Sequence, residues 1–300
     1  MVESGAAATA KSAEPERFAA ARGTLYVVAT PLGNLRDLTF RALDILASVD
    51  TIAAEDTRVT AVLLRHYEIV ARPLSLHEHN EAARAERIVE ALRQGKSVAL
   101  VTDAGTPAIS DPGARLVRAV RDAGLTVVPI PGACAAVAAV SAAGLAAERW
   151  LFLGFLPSAA KARRELLAST AKFDAALVVY EAPHRVRATV GELRDALGGE
   201  RSLVIAREIT KKFETISVSK LAEAPQWLIE DPNRERGEFV LLVDAPLERT
   251  RAPAIDAREL LMALIEELPP ARAARVAAAV TGLPRDALYA QAVELKAGRS

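Results

Sequence analysis

The stretch VTDAGTPAISDPG, Val101 to Gly113, follows the apolar run Ser97–Leu100 and leads into ARLVRAVRDAG, whose apolar residues fall at helical spacing. A strand, a loop of small residues and a helix, in that order, form the repeating unit of a parallel α/β layer. The loop holds two Gly, two Pro and two Asp, with Ile109 the only large side chain after Val101. Its far end reads as a helix start, with Asp111 as N-cap and Pro112 at the first helical position. That leaves Thr102–Pro107 unexplained, because a strand-to-helix turn needs fewer residues. Small residues there let backbone N–H and C=O groups come close to a ligand. No Lys or Arg lies in the loop, so the implied ligand edge is neutral and largely apolar. An adenosine fits such a surface; a phosphate cluster does not.

The same alternation extends in both directions. TLYVVAT, TIAAED, RPLSLH and TVVPIPG are strand-like or extended, and DLTFRALDILASV, VTAVLLRHYEI and NEAARAERIVEALRQG are helical, the last with Asn80 as N-cap and Gly95 as C-cap. Strands alternating with helices predict a mostly parallel sheet covered on both faces. ACAAVAAVSAAG is a helix of small residues that can pack closely. The second half is strand-rich (WLFLGF, AALVVYEA, SLVIARE, TISVS, EFVLLVDAP), and its sheet is predicted to be mixed because TISVS and EFVLLV flank a single helix. After Pro246 the strands stop. RELLMALIEEL, PARAARVAAAVTG and PRDALYAQAVELKAG read as three helices punctuated by Pro270, Gly282 and Pro284. A plain helical cap is preferred there to a helix-turn-helix. The expected organisation is a disordered extension over 1–22, an N-terminal α/β domain over 23–131, a C-terminal α/β domain over 132–248, and a helical C-terminal extension over 249–300.

Charge is balanced, with 38 basic and 38 acidic residues, so the overall field favours neither nucleic acid nor membrane. The single cysteine, Cys134, cannot form an intramolecular disulfide, and four scattered His (66, 77, 79 and 184) make no zinc spacing. A reducing cytoplasm fits. Residues 1–22 lack a basic start followed by an apolar core, so no signal peptide is expected. No run approaches the ~18 apolar residues of a membrane span. Ligands of an open α/β sheet bind outside the carboxyl ends of its strands. Four loops qualify: TPLGNLRD (30–37), DAGTPAISDPG (103–113), PGACAA (131–136) and YEAPHR (180–185). None matches the Gly-rich phosphate loops of nucleotide triphosphate or dinucleotide sites.

TPLGNLRDLT, AAEDTR, VTDAGTPAISDPG, PGACAAVAA, YEAPHR and AREITKKFET, in this order, resemble the tetrapyrrole-methylase superfamily. Within it they closely resemble the small-subunit ribosomal RNA methyltransferase I family, which methylates a cytidine ribose 2′-oxygen in 16S rRNA. The resemblance runs from about residue 23 to 245, and the tail also resembles that family's C-terminal extension. It implies two α/β domains with a cleft between them, S-adenosylmethionine bound in that cleft, and a cytoplasmic homodimer acting on the small ribosomal subunit. Carried over by position, donor contacts fall on Pro31, Ala104, Gly105, Thr106, Ile109, Cys134, Ala135, Glu181 and Ile209. Tetrapyrrole-methylating members usually carry GDP at Gly105-Thr106-Pro107 and a Tyr-Met pair at Tyr180-Glu181. Both departures point to the RNA branch.

A ribose hydroxyl is a poor nucleophile, and a general base would add about 10²–10⁴-fold. The polar candidates are Glu55, Asp56, Arg58, His77, Asn80, Asp103, Lys211 and Glu214, with Glu55, Asp56 and Lys211 ranked first for catalysis. Asp56 and Asn80 also read as helix caps, His77 and His79 as surface loop residues, and Cys134 as a small helix residue. Arg58, Arg185, Arg207, Lys211 and Lys212 are the expected RNA backbone contacts. Two alternatives stay open: methylation of a tetrapyrrole precursor, and a non-enzymatic RNA-binding factor.

Overall fold

The apolar runs of the first half become five parallel strands in the order β3-β2-β4-β1-β5: β1 (Thr24–Val28), β2 (Thr51–Ala54), β3 (Leu74–Ser75), β4 (Val98–Val101) and β5 (Thr126–Ile130). The structure, a computed structural model, describes residues 18–77, 80–171, 173–246 and 256–297. The pleat turns Tyr26, Val28, Ile52, Ala54 and Val101 toward α1 (Phe40–Ser48) and α2 (Thr57–His66). It turns Leu25, Ala53, Val98 and Leu100 toward α3 (Glu81–Arg93) and α4 (Ala114–Asp122). Burial on both faces explains why these strands read as continuous apolar runs. β1 and β4 are neighbours, yet the helices that follow them lie on opposite faces. Their loops therefore part beyond the strand ends and leave a crevice.

A second sheet has the order β6-β7-β10-β8-β9, built from β6 (Trp150–Phe155), β7 (Ala176–Glu181), β8 (Ser202–Arg207), β9 (Thr215–Lys220) and β10 (Phe239–Val243). It is mixed, as predicted: β6 and β7 are parallel and the other pairs antiparallel. α5 (Ala135–Ala143) sets Ala136, Ala139 and Ala143 against Val178, Val204 and Val240, the close approach its small residues allow. α6 (Ala160–Thr170), α7 (Val186–Leu197) and α8 (Ala224–Glu230) cover the other face, with Leu167, Val190, Leu193 and Leu228 packed on Val179, Leu203 and Leu241.

Both sheets belong to one unit, which runs to Asp244 apart from residues 172–174. The helical tail forms a second. There α9 (Ala257–Glu267), α10 (Pro270–Thr281) and α11 (Arg285–Ala297) share a core of Leu261, Ile265, Ala273, Ala277, Leu288 and Ala292. The three helices lie where the spacing placed them. The expected N-terminal extension lies outside the described residues as far as residue 17. Beyond it, Phe18 N–H donates to Asp44 Oδ2 (3.0 Å) and Ala20 N–H to Ser48 Oγ (3.1 Å), which tie residues 18–22 to α1.

One capping expectation holds by position alone and one is corrected. Asn80 does precede α3, but its side-chain oxygen accepts from His77 N–H (2.9 Å) and not from a helix amide. Asp111 does not cap α4. That helix starts at Ala114 behind Gly113, whose φ of 125° suits glycine. Its amides at Gly113, Arg115 and Leu116 all donate to Glu81 Oε1, at 3.1, 2.9 and 3.1 Å. Glu81 opens α3 and is buried. An anion supplied from the neighbouring helix satisfies the amide donors and the positive end of the dipole together.

Replacing Glu81 with alanine strands three amides and should lower unfolding stability by about 2–4 kcal/mol. Glu81→Gln keeps the acceptor oxygen and should cost less than half as much. Urea denaturation of the two variants checks both values.

Candidate functional site

The crevice is built by backbone before any side chain enters it. Thr30 N–H donates to Gly105 O (2.8 Å) and Gly105 N–H to Thr30 O (3.0 Å), joining the loops after β1 and β4. Thr106 Oγ1 donates to Ala133 O (3.0 Å) and brings in the loop after β5. Gly105 has φ of 88°, and a Cβ there would lie 3.2 Å from Leu32 Cδ2. Ala108 and Ser110 also hold left-handed backbone, with φ of 66° and 68°. Such conformations cost about 1–3 kcal/mol each and persist only where the surroundings impose them. The second sheet lies close to this segment: a Cβ on Gly154 would meet Ser110 Oγ at 2.8 Å, so glycine leaves the room that Ser110 needs.

A cavity of about 360 Å³ opens between these loops and the second sheet. Leu32, Ala104, Gly105, Thr106 and Ile109 line one side, and Cys134, Ala135, Tyr180, Ile209 and Val240 the other. Phe155, about half exposed, stands edge-on to Tyr180 with centroids 5.6 Å apart. The Tyr180 hydroxyl accepts from Ala136 N–H (3.0 Å), and burial together with neighbouring Cys134 raises its pKa.

Glu55, Asp103 and Asp111 also line the cavity and give it an acidic side. The Thr102 hydroxyl donates to Glu55 Oε2 at 2.5 Å, and Asp56 N–H donates to Asp103 Oδ1 at 3.0 Å. Burial raises the pKa of Asp103 despite that bond, helped by the charges of Glu55 and Asp56. Asp111 rises to about 6, through burial first and then repulsion from Glu55 and Asp103. Among the described residues no group of His, Cys, Asp and Glu has the arrangement of a metal site.

Of the residues carried over as donor contacts, Ala104, Gly105, Thr106, Ile109, Cys134, Ala135, Glu181 and Ile209 all border this cavity. Pro31 is buried, and its neighbour Leu32 lines the cavity in its place. The Glu181 carboxylate is committed to Ala182 N–H (2.8 Å), Thr189 Oγ1 (2.5 Å) and Arg185 (3.3 Å), so it shapes the loop after β7.

Among the catalytic candidates, Glu55 lines the cavity while Asp56 and Lys211 do not. Asp56 caps α2 and pairs with Arg58, whose guanidinium holds its pKa near about 2. Lys211 bonds Glu208 Oε1 (3.0 Å) and Glu238 Oε2 (2.7 Å), and these carboxylates keep its pKa raised against the effect of burial. Its stem covers Gly33, where a Cβ would lie 2.4 Å from Lys211 Cγ. Arg58 is 89 % exposed, and Lys212 stands 5.6 Å from the Phe213 ring centroid. Arg185 donates to Leu156 O (2.9 Å), and Arg207 to Arg236 O (2.5 Å) and Phe213 O (3.1 Å).

Leu32, Ser110, Asp111, Phe155, Glu238 and Phe239 line the cavity without having been singled out as site residues. Phe155 ends an apolar strand and Phe239 begins one, so neither differs in sequence from a core residue. Asp111 was hidden by its capping signature.

Residues 24–225 match the family described as Tetrapyrrole (Corrin/Porphyrin) Methylases. The fold agrees. A cobalamin-biosynthetic enzyme, cobalt precorrin-4 methyltransferase, has a TM-score of 0.57 at 18 % identity, over 74 % of this chain and 95 % of that one. The methyltransferase CobJ has a TM-score of 0.56 at 22 % identity, over 77 % and 98 %. Fold and family model thus define a methyltransferase of the tetrapyrrole-methylase class. Ribosomal RNA small subunit methyltransferase I of Haemophilus influenzae is 48 % identical over 89 % of this chain and 95 % of its own length. The protein of that name from Escherichia coli O157:H7 is 46 % identical over 91 % and 96 %. The chain belongs to the ribosomal RNA small subunit methyltransferase I family, within the tetrapyrrole methylases. Residues 251–296 match the family described as RsmI C-terminal HTH domain, so the tail is of the helix-turn-helix class and not a plain cap.

Gly105→Ala should cost about 1–2 kcal/mol, through left-handed strain and the push on Leu32. Thermal unfolding tests it against Gly124→Ala, where φ is also positive (72°) but a Cβ meets nothing within 4 Å. The Gly105 variant should melt lower.

Proposed function

We propose that the protein transfers the methyl group of S-adenosylmethionine to the ribose 2′-oxygen of a cytidine in 16S rRNA of the small ribosomal subunit. The observation that carries this reading is 46–48 % identity, over about nine tenths of the chain, to relatives named for small-subunit ribosomal RNA methylation. Methylation of a tetrapyrrole precursor is the second reading. Gly105-Thr106-Pro107 and Tyr180-Glu181 speak against it, since both depart from the pattern usual in that branch.

The cavity suits the donor. Its volume of about 360 Å³ falls within the range of small-molecule sites. The Gly105 backbone lies open where a Cβ would crowd Leu32, and Ile109, Ile209 and Val240 supply apolar walls for an adenine. Ala104, Gly105, Thr106, Ile109, Cys134, Ala135 and Ile209 would hold the donor, with Pro31 and Glu181 fixing the loops behind them. Bound there, S-adenosylmethionine supplies a methyl group activated on a cationic sulfonium. The acidic side formed by Glu55 and Asp103 favours that cation over its neutral product.

Lys211 and Asp56 orient neighbouring groups in this reading. Lys211 is protonated between two carboxylates and Asp56 is held ionised by Arg58, so each is a weak proton acceptor at neutral pH. Arg58, Arg185, Arg207, Lys211 and Lys212 form the RNA-facing cations, and a cytoplasmic homodimer completes the proposal. No described helix is long and apolar enough to cross a membrane.

Labelled methyl from S-adenosylmethionine should appear as alkali-stable label in the RNA of small subunits lacking the modification. Label in a tetrapyrrole precursor run in parallel, with none in the RNA, would sink the acceptor assignment. Thr106→Trp should weaken donor binding by at least about 100-fold in calorimetry without unfolding the protein. Affinity for small-subunit RNA should fall steeply as salt rises; an affinity indifferent to salt would remove the five cations from the interface.

A further inference from the structure

We propose that Asp111 is the catalytic base that takes the proton from the acceptor hydroxyl, an assignment that rests on the hydroxyl-methylation reading above. The residue is free for that work because Glu81 caps α4 in its stead, with three amide bonds to one carboxylate oxygen. Its backbone position is set on both sides. Ser110 before it and Gly113 after it hold left-handed backbone, and Ser110 lies against Gly154 of the second sheet, where an added Cβ would come within 2.8 Å of its Oγ. The side chain borders the cavity beside those of Glu55 and Asp103.

Those two neighbours are less suited to the task. Glu55 accepts the Thr102 hydroxyl proton at 2.5 Å, and Asp103 accepts the Asp56 amide at 3.0 Å. Thr102 also approaches Asp111, but a hydroxyl has one proton and here it points to Glu55. Asp111 faces Glu55 and Asp103 on the first sheet's side and Tyr180 across the cavity. Crowding by like charges makes a proton welcome there. A pKa of about 6 leaves Asp111 ionised at neutral pH, yet more basic than an ordinary carboxylate.

In the reaction the ribose oxygen bonds to the donor's methyl carbon as the carbon–sulfur bond breaks, and that bond's electron pair stays on sulfur as a neutral thioether. The hydroxyl proton passes to a carboxylate oxygen of Asp111 and from there to water. Charge balances, because the sulfonium cation is lost as the carboxylate anion is neutralised.

Asp111→Asn changes one atom type and nearly preserves shape. In single-turnover transfer to small subunits lacking the methyl group, the wild-type rate should fall as pH drops through about 6. The variant should be slower by about 10²–10⁴-fold and lose that acid limb, with donor affinity by calorimetry unchanged and the melting temperature no lower, because a carboxyl whose pKa is raised on folding destabilises the fold at neutral pH. Asp103→Asn keeps the acceptor for Asp56 N–H but removes one repelling charge, so its acid limb should move to lower pH. A role for Asp111 in folding alone would not produce that move. Wild-type rates in Asp111→Asn, or donor affinity lost in step with rate, would overturn the assignment. A wild-type protein that binds the donor and labels no RNA would instead defeat the reading on which the assignment rests.

Discussion

The backbones of Thr30 and Gly105 exchange two hydrogen bonds, of 2.8 and 3.0 Å, beyond the carboxyl ends of β1 and β4. At that point the two chains turn to opposite faces of the sheet, and without a tie they would splay apart. The bridge fixes one wall of the cavity at backbone level. Thr106 extends it to the loop after β5, and Gly154 leaves room for Ser110 beside the second sheet. Each contact requires a small residue at the point of approach. The poverty of side chains in VTDAGTPAISDPG follows from this crowding as much as from any ligand.

The carboxylates of this region divide the work. Glu81 lies among amides and organises a helix start. Asp56 does the same for α2 while bound to Arg58. Asp103 receives an amide from the segment that Asp56 opens, and Glu55 receives a hydroxyl from Thr102. At Asp111 burial and repulsion, the two influences that raise a carboxyl's pKa, outweigh the approach of Thr102. Asp56, held down by Arg58, and Asp111, pushed up to about 6, thus titrate apart although both are aspartates of one region.

Much of the architecture was legible in the sequence. Alternating strands and helices announced the parallel sheet, the alanines of α5 its close packing, and three punctuated segments the helical tail. The order of the second sheet was not legible. FVLLV is a buried run with no sign of its neighbours, and only the fold shows it seated between β7 and β8. The site was legible at the level of loops, since each follows a strand. It failed where a local signature competes with a distant partner. Asp-Pro-Gly is a sound capping pattern, and nothing near it in sequence reveals that Glu81, on another helix, already fills the role. The helix-turn-helix class of the tail was missed for a related reason: balanced charge speaks to electrostatics and not to the angle at which helices meet.

Because α4 is started by Glu81 and the other end of the loop is pinned by Thr30 and Thr106, the segment from Pro107 to Pro112 hangs between anchors that it does not itself supply. Its interior is in effect a cassette. Residues there can be exchanged without unravelling a helix or a strand, provided the left-handed positions and the gap beneath Gly154 are respected. A scaffold wired in this way separates foldability from chemistry along the chain, and offers substitution a place to act on the acceptor without first destabilising the frame.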